Sequence, residues 1–336
     1  MARVVTLGEM LMRLQTPDRG KLSQASTFNA YFGGAEANVA IGLSHLGHDV
    51  RYVTALPSGN PLAHGMKQHL QRAGVHVDWI YEGGSRIGAY YIEEGYSLKA
   101  SSVVYDRAHS SVLELASVDV DWAGLFADVD WFHVSGITCA LSNELHTFVK
   151  VAMQEAHAHE VKVSFDCNYR SKLWSAEEAG AAYLDVLPYV DHCFAGWKDF
   201  AWLFKWEAEG ETYEEQLKAY YDRLRDEYGV ASCASTKREI VGNNRHELRG
   251  YFYDGTELVA GETVAFDVID RIGGGDSFAA GVLHGMSGGD GIDANTIIEF
   301  AVAYSVLNHF VRGDQSDYTV ADVTQFIQNQ SGDVVR

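Results

Sequence analysis

Asp270-Arg271-Ile272-Gly273-Gly274-Gly275-Asp276-Ser277-Phe278-Ala279-Ala280-Gly281 is a glycine run set between two acids and followed by an apolar segment. Three consecutive glycines leave no Cβ in the way, so backbone N–H groups can converge on an anion. Phe278, Ala279, Val282 and Leu283 give the following segment helical character. A turn feeding a helix N-terminus attracts negative charge, because the first N–H groups lack partners and the helix dipole adds to them. A carboxylate placed there, Asp276, has a chemical use if it takes a proton from a hydroxyl that attacks a phosphoryl group held over the glycines. Taken alone, the stretch also reads as a loop whose Asp caps the helix. It is not a dinucleotide fingerprint, which would need a glycine where Phe278 stands, and the chain has no Gly-Lys-Ser/Thr of a P-loop.

A second glycine motif lies near the start. Gly33-Gly34-Ala35-Glu36-Ala37-Asn38-Val39-Ala40-Ile41-Gly42-Leu43-Ser44-His45-Leu46-Gly47 reads as a paired-glycine turn into a helix, with Ala40, Leu43 and Leu46 as its stripe and Gly47 as its stop. Asn38 falls in the first turn, off that stripe, free to point at whatever binds above the glycines. Together the two motifs resemble the paired signatures of the ribokinase-like carbohydrate kinase family. Their separation, the opening strand Val4-Val5-Thr6-Leu7-Gly8-Glu9 and the overall length fit that family, and the resemblance spans nearly the whole chain.

Composition is compatible. At 336 residues, with 47% hydrophobic and 21% charged residues, the chain can bury a large core. It has no apolar run long enough to span a bilayer and no signal-peptide pattern. Cys139, Cys167, Cys193 and Cys233 are widely spaced, which suits reduced thiols in a cytosol rather than a disulfide framework or a zinc site. A net charge of −20 argues against nucleic acid as a partner. His157 and His159 point to different faces of a helix and make a poor metal pair.

Strand patterns at 3–8, 48–55, 131–135, 161–166, 190–195, 230–235 and 263–269 alternate with helical patterns at 35–46, 62–73, 143–159, 176–187, 213–228, 276–286 and 293–310. This predicts an α/β fold, a mostly parallel sheet flanked by helices on both faces. Segments 10–32 and 84–106 break the pattern and read as a small antiparallel sheet. The expected division is a core of 1–9, 33–83 and 107–336 with a β-lid of 10–32 and 84–106. In the resembling family such a lid closes over the sugar and often pairs subunits, implying a homo-oligomer. The polar stretch beyond about 329 is expected to fray.

The resemblance implies roles for particular residues. Asp276 becomes the base that deprotonates the acceptor hydroxyl, and the backbone of Gly273, Gly274 and Gly275 the anion hole. Asp270 helps hold a monovalent cation, K⁺, behind that hole. Gly33, Gly34 and Asn38 lie beside the sugar. Val103-Val104-Tyr105-Asp106-Arg107 resembles the segment of 2-keto-3-deoxygluconate kinases in which a tyrosine and an arginine meet the sugar acid; a guanidinium fork suits a carboxylate. Asp166-Cys167-Asn168-Tyr169-Arg170 follows a strand, and in an extended stretch Asp166, Asn168 and Arg170 share one face at the sheet's ligand-binding edge. It resembles a segment of fructokinases and 2-keto-3-deoxygluconate kinases alike. Tyr90, in the lid, and Asp314 are further sugar-side candidates.

The nucleotide half departs from the family. Its Asn-x-x-Glu, which organises Mg²⁺ through water, falls on Gly196 and Asp199, so Asp199 is left to attract the hydrated ion without the amide. The strand at 234–239 lacks the customary glycine, and Lys237 or Arg238 is the candidate for reaching a phosphate. The expectation is an ATP- and Mg²⁺-dependent kinase of a small sugar acid, 2-keto-3-deoxygluconate giving its 6-phosphate. The alternatives are a fructokinase or other ketose kinase, and a sugar-acid-binding regulator without activity.

Overall fold

The computed structural model describes residues 1–96, 98–242, 244–288 and 292–329, so the polar tail expected to fray lies outside the described residues. The strands, in chain order, are β1 (Arg3–Leu7), β2 (Leu11–Gln15), β3 (Asn29–Gly33), β4 (Asp49–Leu56), β5 (Ile80–Glu82), β6 (Ala89–Glu93), β7 (Ser102–Asp106), β8 (Trp131–Ser135), β9 (Lys162–Asp166), β10 (His192–Phe194), β11 (Ser232–Gly242), β12 (Arg245–Tyr253), β13 (Leu258–Ala260) and β14 (Val264–Asp267). The main sheet runs β13-β12-β11-β10-β9-β8-β1-β4-β5, with β14 also on β12. From β11 through β5 every pairing is parallel; β12 pairs antiparallel with each of β11, β13 and β14.

The central strands are apolar runs because both faces are covered. Val5, Leu7, Phe132 and Val134 point into one core with Phe148, Tyr183, Phe200 and Tyr221, whereas Val4 and Trp131 point into the other with Val39, Val282, Ile298 and Tyr304. The two cores are closed by helices Asn143–Ala158, Ala176–Val186 and Tyr213–Tyr228 on the first face, and by Ala35–His45, Pro61–Arg72, Gly274–Met286 and Ala294–Asn308 on the second. Ser175 with Glu178 and Thr212 with Glu215 form capping boxes that start two of these helices. Beyond the seven strands read from the sequence lie β5 and the antiparallel edge built by β12 and β13. The edge was hidden because the outer half of β11, Lys237–Gly242, is exposed throughout and opens on three charged residues, and so resembles a loop.

The second sheet, β3-β2-β6-β7, stands apart. It is mixed rather than antiparallel: β2 and β6 run parallel, while β2–β3 and β6–β7 are antiparallel. The reason is topological. β2 follows β1 and β6 follows β5, two parallel strands of the main sheet, so both enter the small sheet in the same direction.

All four cysteines are free and buried. Cys193 and Cys233 are direct partners on β10 and β11, and Cys167 immediately follows β9, the strand on the other side of β10. Among the described residues, no helix is long and apolar enough to cross a membrane.

Candidate active site

The C-terminal ends of β9, β10 and the inner half of β11 open onto a cleft of about 700 Å³ that also meets the N-terminus of helix Gly274–Met286. The helix starts at Gly274, two residues before the expected position. Gly273 is its N-cap, in the left-handed region at φ 79°, and Asp276 lies in its first turn instead of capping it. The three glycines are not equivalent. A Cβ on Gly273 would collide with the Asp314 carbonyl oxygen and one on Gly274 with the His309 ring, whereas one on Gly275 would meet nothing within 4 Å. Gly275 lines the cleft. Gly275→Ala is therefore expected to keep or slightly raise Tm, since alanine is favoured over glycine in a helix by about 0.5–1 kcal/mol. Its methyl group projects where a phosphate would approach, so turnover is expected to fall by about 10²-fold. Melting and ATP-dependent turnover of this one variant separate the two effects.

Asp276 is held by Asn38, whose Nδ2 donates to its Oδ2 at 2.6 Å. The orientation of that amide is fixed from its other end: Asn38 Oδ1 accepts from the Gly34 N–H (3.3 Å) and from Gln315 Nε2. Gln315 was not legible in the sequence. Glu36, on the same helix, accepts from Ser135 Oγ and Thr138 Oγ1, both at 2.7 Å, and so pins the helix that carries Asn38 to the end of β8. Burial raises the Asp276 carboxyl to about 6, against the lowering pull of Asn38 and Arg170. A base with that value is ionised at neutral pH yet still basic. Activity is expected to rise with pH through about 6 as Asp276 loses its proton, an acidic limb that disappears in Asp276→Asn; a kcat/KM profile checks this.

Asp166 and Asp199 are raised as well, to about 8 and about 6, chiefly by burial and, for Asp166, by Asp276 and Asp199. The expected extended face of Asp166, Asn168 and Arg170 is not formed. β9 ends at Asp166, Asn168 turns back at φ 40°, and both its N–H and its amide bond the Asp166 carboxylate. Arg170 is nevertheless near enough to lower both Asp166 and Asp276, and among the described residues it has no carboxylate partner. Arg107 does have one. Its Nε donates to Glu9 Oε2 at 2.8 Å and its Nη2 to the same oxygen, while Ser110 donates to Glu9 Oε1. Tyr90 donates its hydroxyl to Asp314, whose other oxygen accepts from Arg13 Nη1 at 2.8 Å. Tyr105 is half-buried in a cluster with Leu11, Tyr90, Ile92, Val103 and Ile272 at the small sheet.

On the outer half of β11, Lys237 pairs with Glu239 at 3.1 Å, whereas Arg238 faces Arg271 with no carboxylate partner among the described residues. Both line the cleft. Asp199 accepts from the Gly196 N–H at 2.8 Å, which closes the altered turn on itself. Among the described residues, no group of three or more His, Cys, Asp or Glu could hold a metal ion. The oxygens of Asp166, Asn168 and Asp199 fit Mg²⁺ carried in on phosphates and water, the usual mode for this ion. Asp270 fits K⁺ poorly: its carboxylate accepts from Arg13, the Ile272 N–H (3.1 Å) and the Gly313 N–H (3.3 Å).

A helix N-terminus with a buried, oriented carboxylate at the edge of a parallel sheet is an arrangement that suits phosphoryl transfer. The model of the pfkB family carbohydrate kinases matches residues 1–228, and the chain belongs to that family: it is a carbohydrate kinase with a ribokinase-like fold. It is 30% identical to a 2-dehydro-3-deoxygalactonokinase of Haloferax volcanii, over 100% of this chain and 99% of that one. Among solved structures, a pfkB family carbohydrate kinase from Listeria grayi matches with a TM-score of 0.91 and 38% identity, covering 97% of this chain and 100% of that one. The 2-dehydro-3-deoxygluconokinase of Thermotoga maritima matches with a TM-score of 0.91 and 33% identity, covering 98% and 100%.

Proposed function

We propose that this kinase transfers the γ-phosphoryl group of ATP to the terminal hydroxyl of a 2-keto-3-deoxy sugar acid, 2-keto-3-deoxygluconate in the first instance. The observation that carries the reading is Asp276, with its pKa near 6, oriented by Asn38 beside the N-terminus of helix Gly274–Met286 and within the field of Arg170, which has no carboxylate partner among the described residues. Asp276 accepts the hydroxyl proton. The first-turn N–H groups, which have no intrahelical acceptor, receive the negative charge that develops on the phosphoryl oxygens. Arg170 receives the substrate carboxylate, and Arg238 a nucleotide phosphate. Mg²⁺, bound through the phosphates, supplies further charge neutralisation. Lid closure excludes water as a competing acceptor. The four free buried thiols suit a reducing compartment such as the cytosol. The lid exposes Phe28 and Val104, apolar residues that fit pairing with a second lid in a homo-oligomer.

One observation favours a ketose kinase instead. Arg107 is already neutralised by Glu9, which removes one of the two guanidinium forks that would mark an acid substrate. ADP release measured with 2-keto-3-deoxygluconate, its C4 epimer 2-keto-3-deoxygalactonate, 2-ketogluconate, fructose and ribose decides. Turnover confined to the keto acids is expected; preferred turnover of fructose sinks the acid reading. Calorimetric binding without turnover would leave the regulator.

A further inference from the structure

The part of the site that the kinase reading leaves unused is Arg13. It sits in the middle of β2 with its side chain 1% exposed, and its charge is forked between two carboxylates from distant parts of the chain, Asp270 and Asp314. The two acids bracket the anion hole. Asp270 opens the turn into it, with its Oδ1 accepting the Ile272 N–H, while the Asp314 carbonyl oxygen is the atom against which Gly273 is packed. A dissociable cation at Asp270 would have to share a carboxylate with a guanidinium and two backbone donors, at a cost in like-charge repulsion. The neighbouring Ile272 carbonyl accepts from Asn308 Nδ2 at 3.2 Å. Among the described residues the buried Asn308 Oδ1 has no hydrogen-bond partner, and a lone amide oxygen does not make a cation cage.

We infer that Arg13 is the resident cation of this kinase: its guanidinium, tethered in the lid strand, balances Asp270 and Asp314 and holds the 270–275 turn in shape, so that turnover needs no dissociable monovalent cation. The inference rests on the kinase reading for its effect on rate. Arg13 is a positioning residue, acting on the phosphoryl group only through the turn. It also ties the lid sheet to the floor of the anion hole, since the same side chain belongs to β2 and bonds residues of the core.

The test compares turnover in potassium, sodium and tetramethylammonium chloride at equal ionic strength, together with the melting of the substrate-free protein in the same salts. The wild type is expected to give the same rate in all three to within about twofold, general screening being equal, and the same Tm. Arg13→Gln is expected to lose about 10²-fold in turnover as the turn shifts. Millimolar guanidinium is expected to restore part of that rate, which a purely structural defect would not allow. Arg13→Lys, which keeps a cation in the same place, is expected to retain more turnover than Arg13→Gln. A wild-type rate or Tm that rises with K⁺ but not with tetramethylammonium overturns the inference, as does an Arg13→Gln enzyme equal to wild type in every salt. Should Arg13→Gln fail to fold, the wild-type salt comparison still decides. Should no sugar be phosphorylated, the function reading falls while the melting comparison continues to test the cation.

Discussion

Asp276→Asn is expected to lower turnover by about 10²–10⁴-fold, the usual worth of a positioned general base, with little change in Tm or in the KM for ATP. The amide can still accept from Asn38 Nδ2 through its own oxygen, so the contact that orients the side chain survives and only the basicity is lost. The substitution also removes a carboxylate that burial keeps near its titration range, which relieves rather than strains the fold. Steady-state kinetics beside a melting curve check this. A variant that keeps more than a tenth of wild-type turnover would mean that the hydroxyl loses its proton elsewhere, and the assignment of Asp276 as base would be abandoned.

The second large effect is expected at Arg170. Arg170→Ala should raise the KM for a 2-keto-3-deoxy sugar acid by about 10- to 150-fold, corresponding to about 1.5–3 kcal/mol for hydrogen bonds to a charged group. A neutral ketose, if it is turned over at all, should be affected far less. Tm should hardly move, because Arg170 is exposed and has no carboxylate partner among the described residues. Arg107→Ala is the informative contrast. Arg107 and Glu9 are both buried, so its removal leaves an uncompensated carboxylate and is expected to destabilise the fold by about 3–5 kcal/mol. An Arg107→Ala enzyme that melts like wild type but fails only with acid substrates would return that arginine to the substrate.

These expectations show where the sequence was informative. Asp276, Asn38 and the glycines were legible because their chemistry is local: a glycine run and a helix start can be recognised within a dozen residues. The partners of Arg107 and Asp314 were not, because Glu9 and Arg13 come from distant stretches of chain. Arg13 was hidden for a second reason. Leu11-Met12-Arg13-Leu14-Gln15 alternates, and the period-2 reading would bury Met12 and Leu14, yet Leu11, Arg13 and Gln15 face inward and are buried. β2 turns its polar set inward because Asp270 and Asp314 wait beneath it, a fact that no local pattern carries. The extended reading of Asp166 to Arg170 failed for the opposite reason: an Asp two residues before an Asn is a turn signal, and the turn won.

The cysteine arrangement has a practical use. Cys167 directly follows β9, Cys193 and Cys233 are partners across β10 and β11, and Cys139 is buried as well. Burial pushes the Cys139 and Cys233 thiols up, and contact with Cys193 together with burial does the same for Cys167, which keeps these thiols protonated and unreactive. A thiol reagent therefore cannot label the native chain without the sheet coming apart, while a denatured chain reacts at all four positions. Each molecule thus carries its own stopwatch for global opening, readable by counting modified sulfurs over time without a substrate, a fluorophore or an engineered probe.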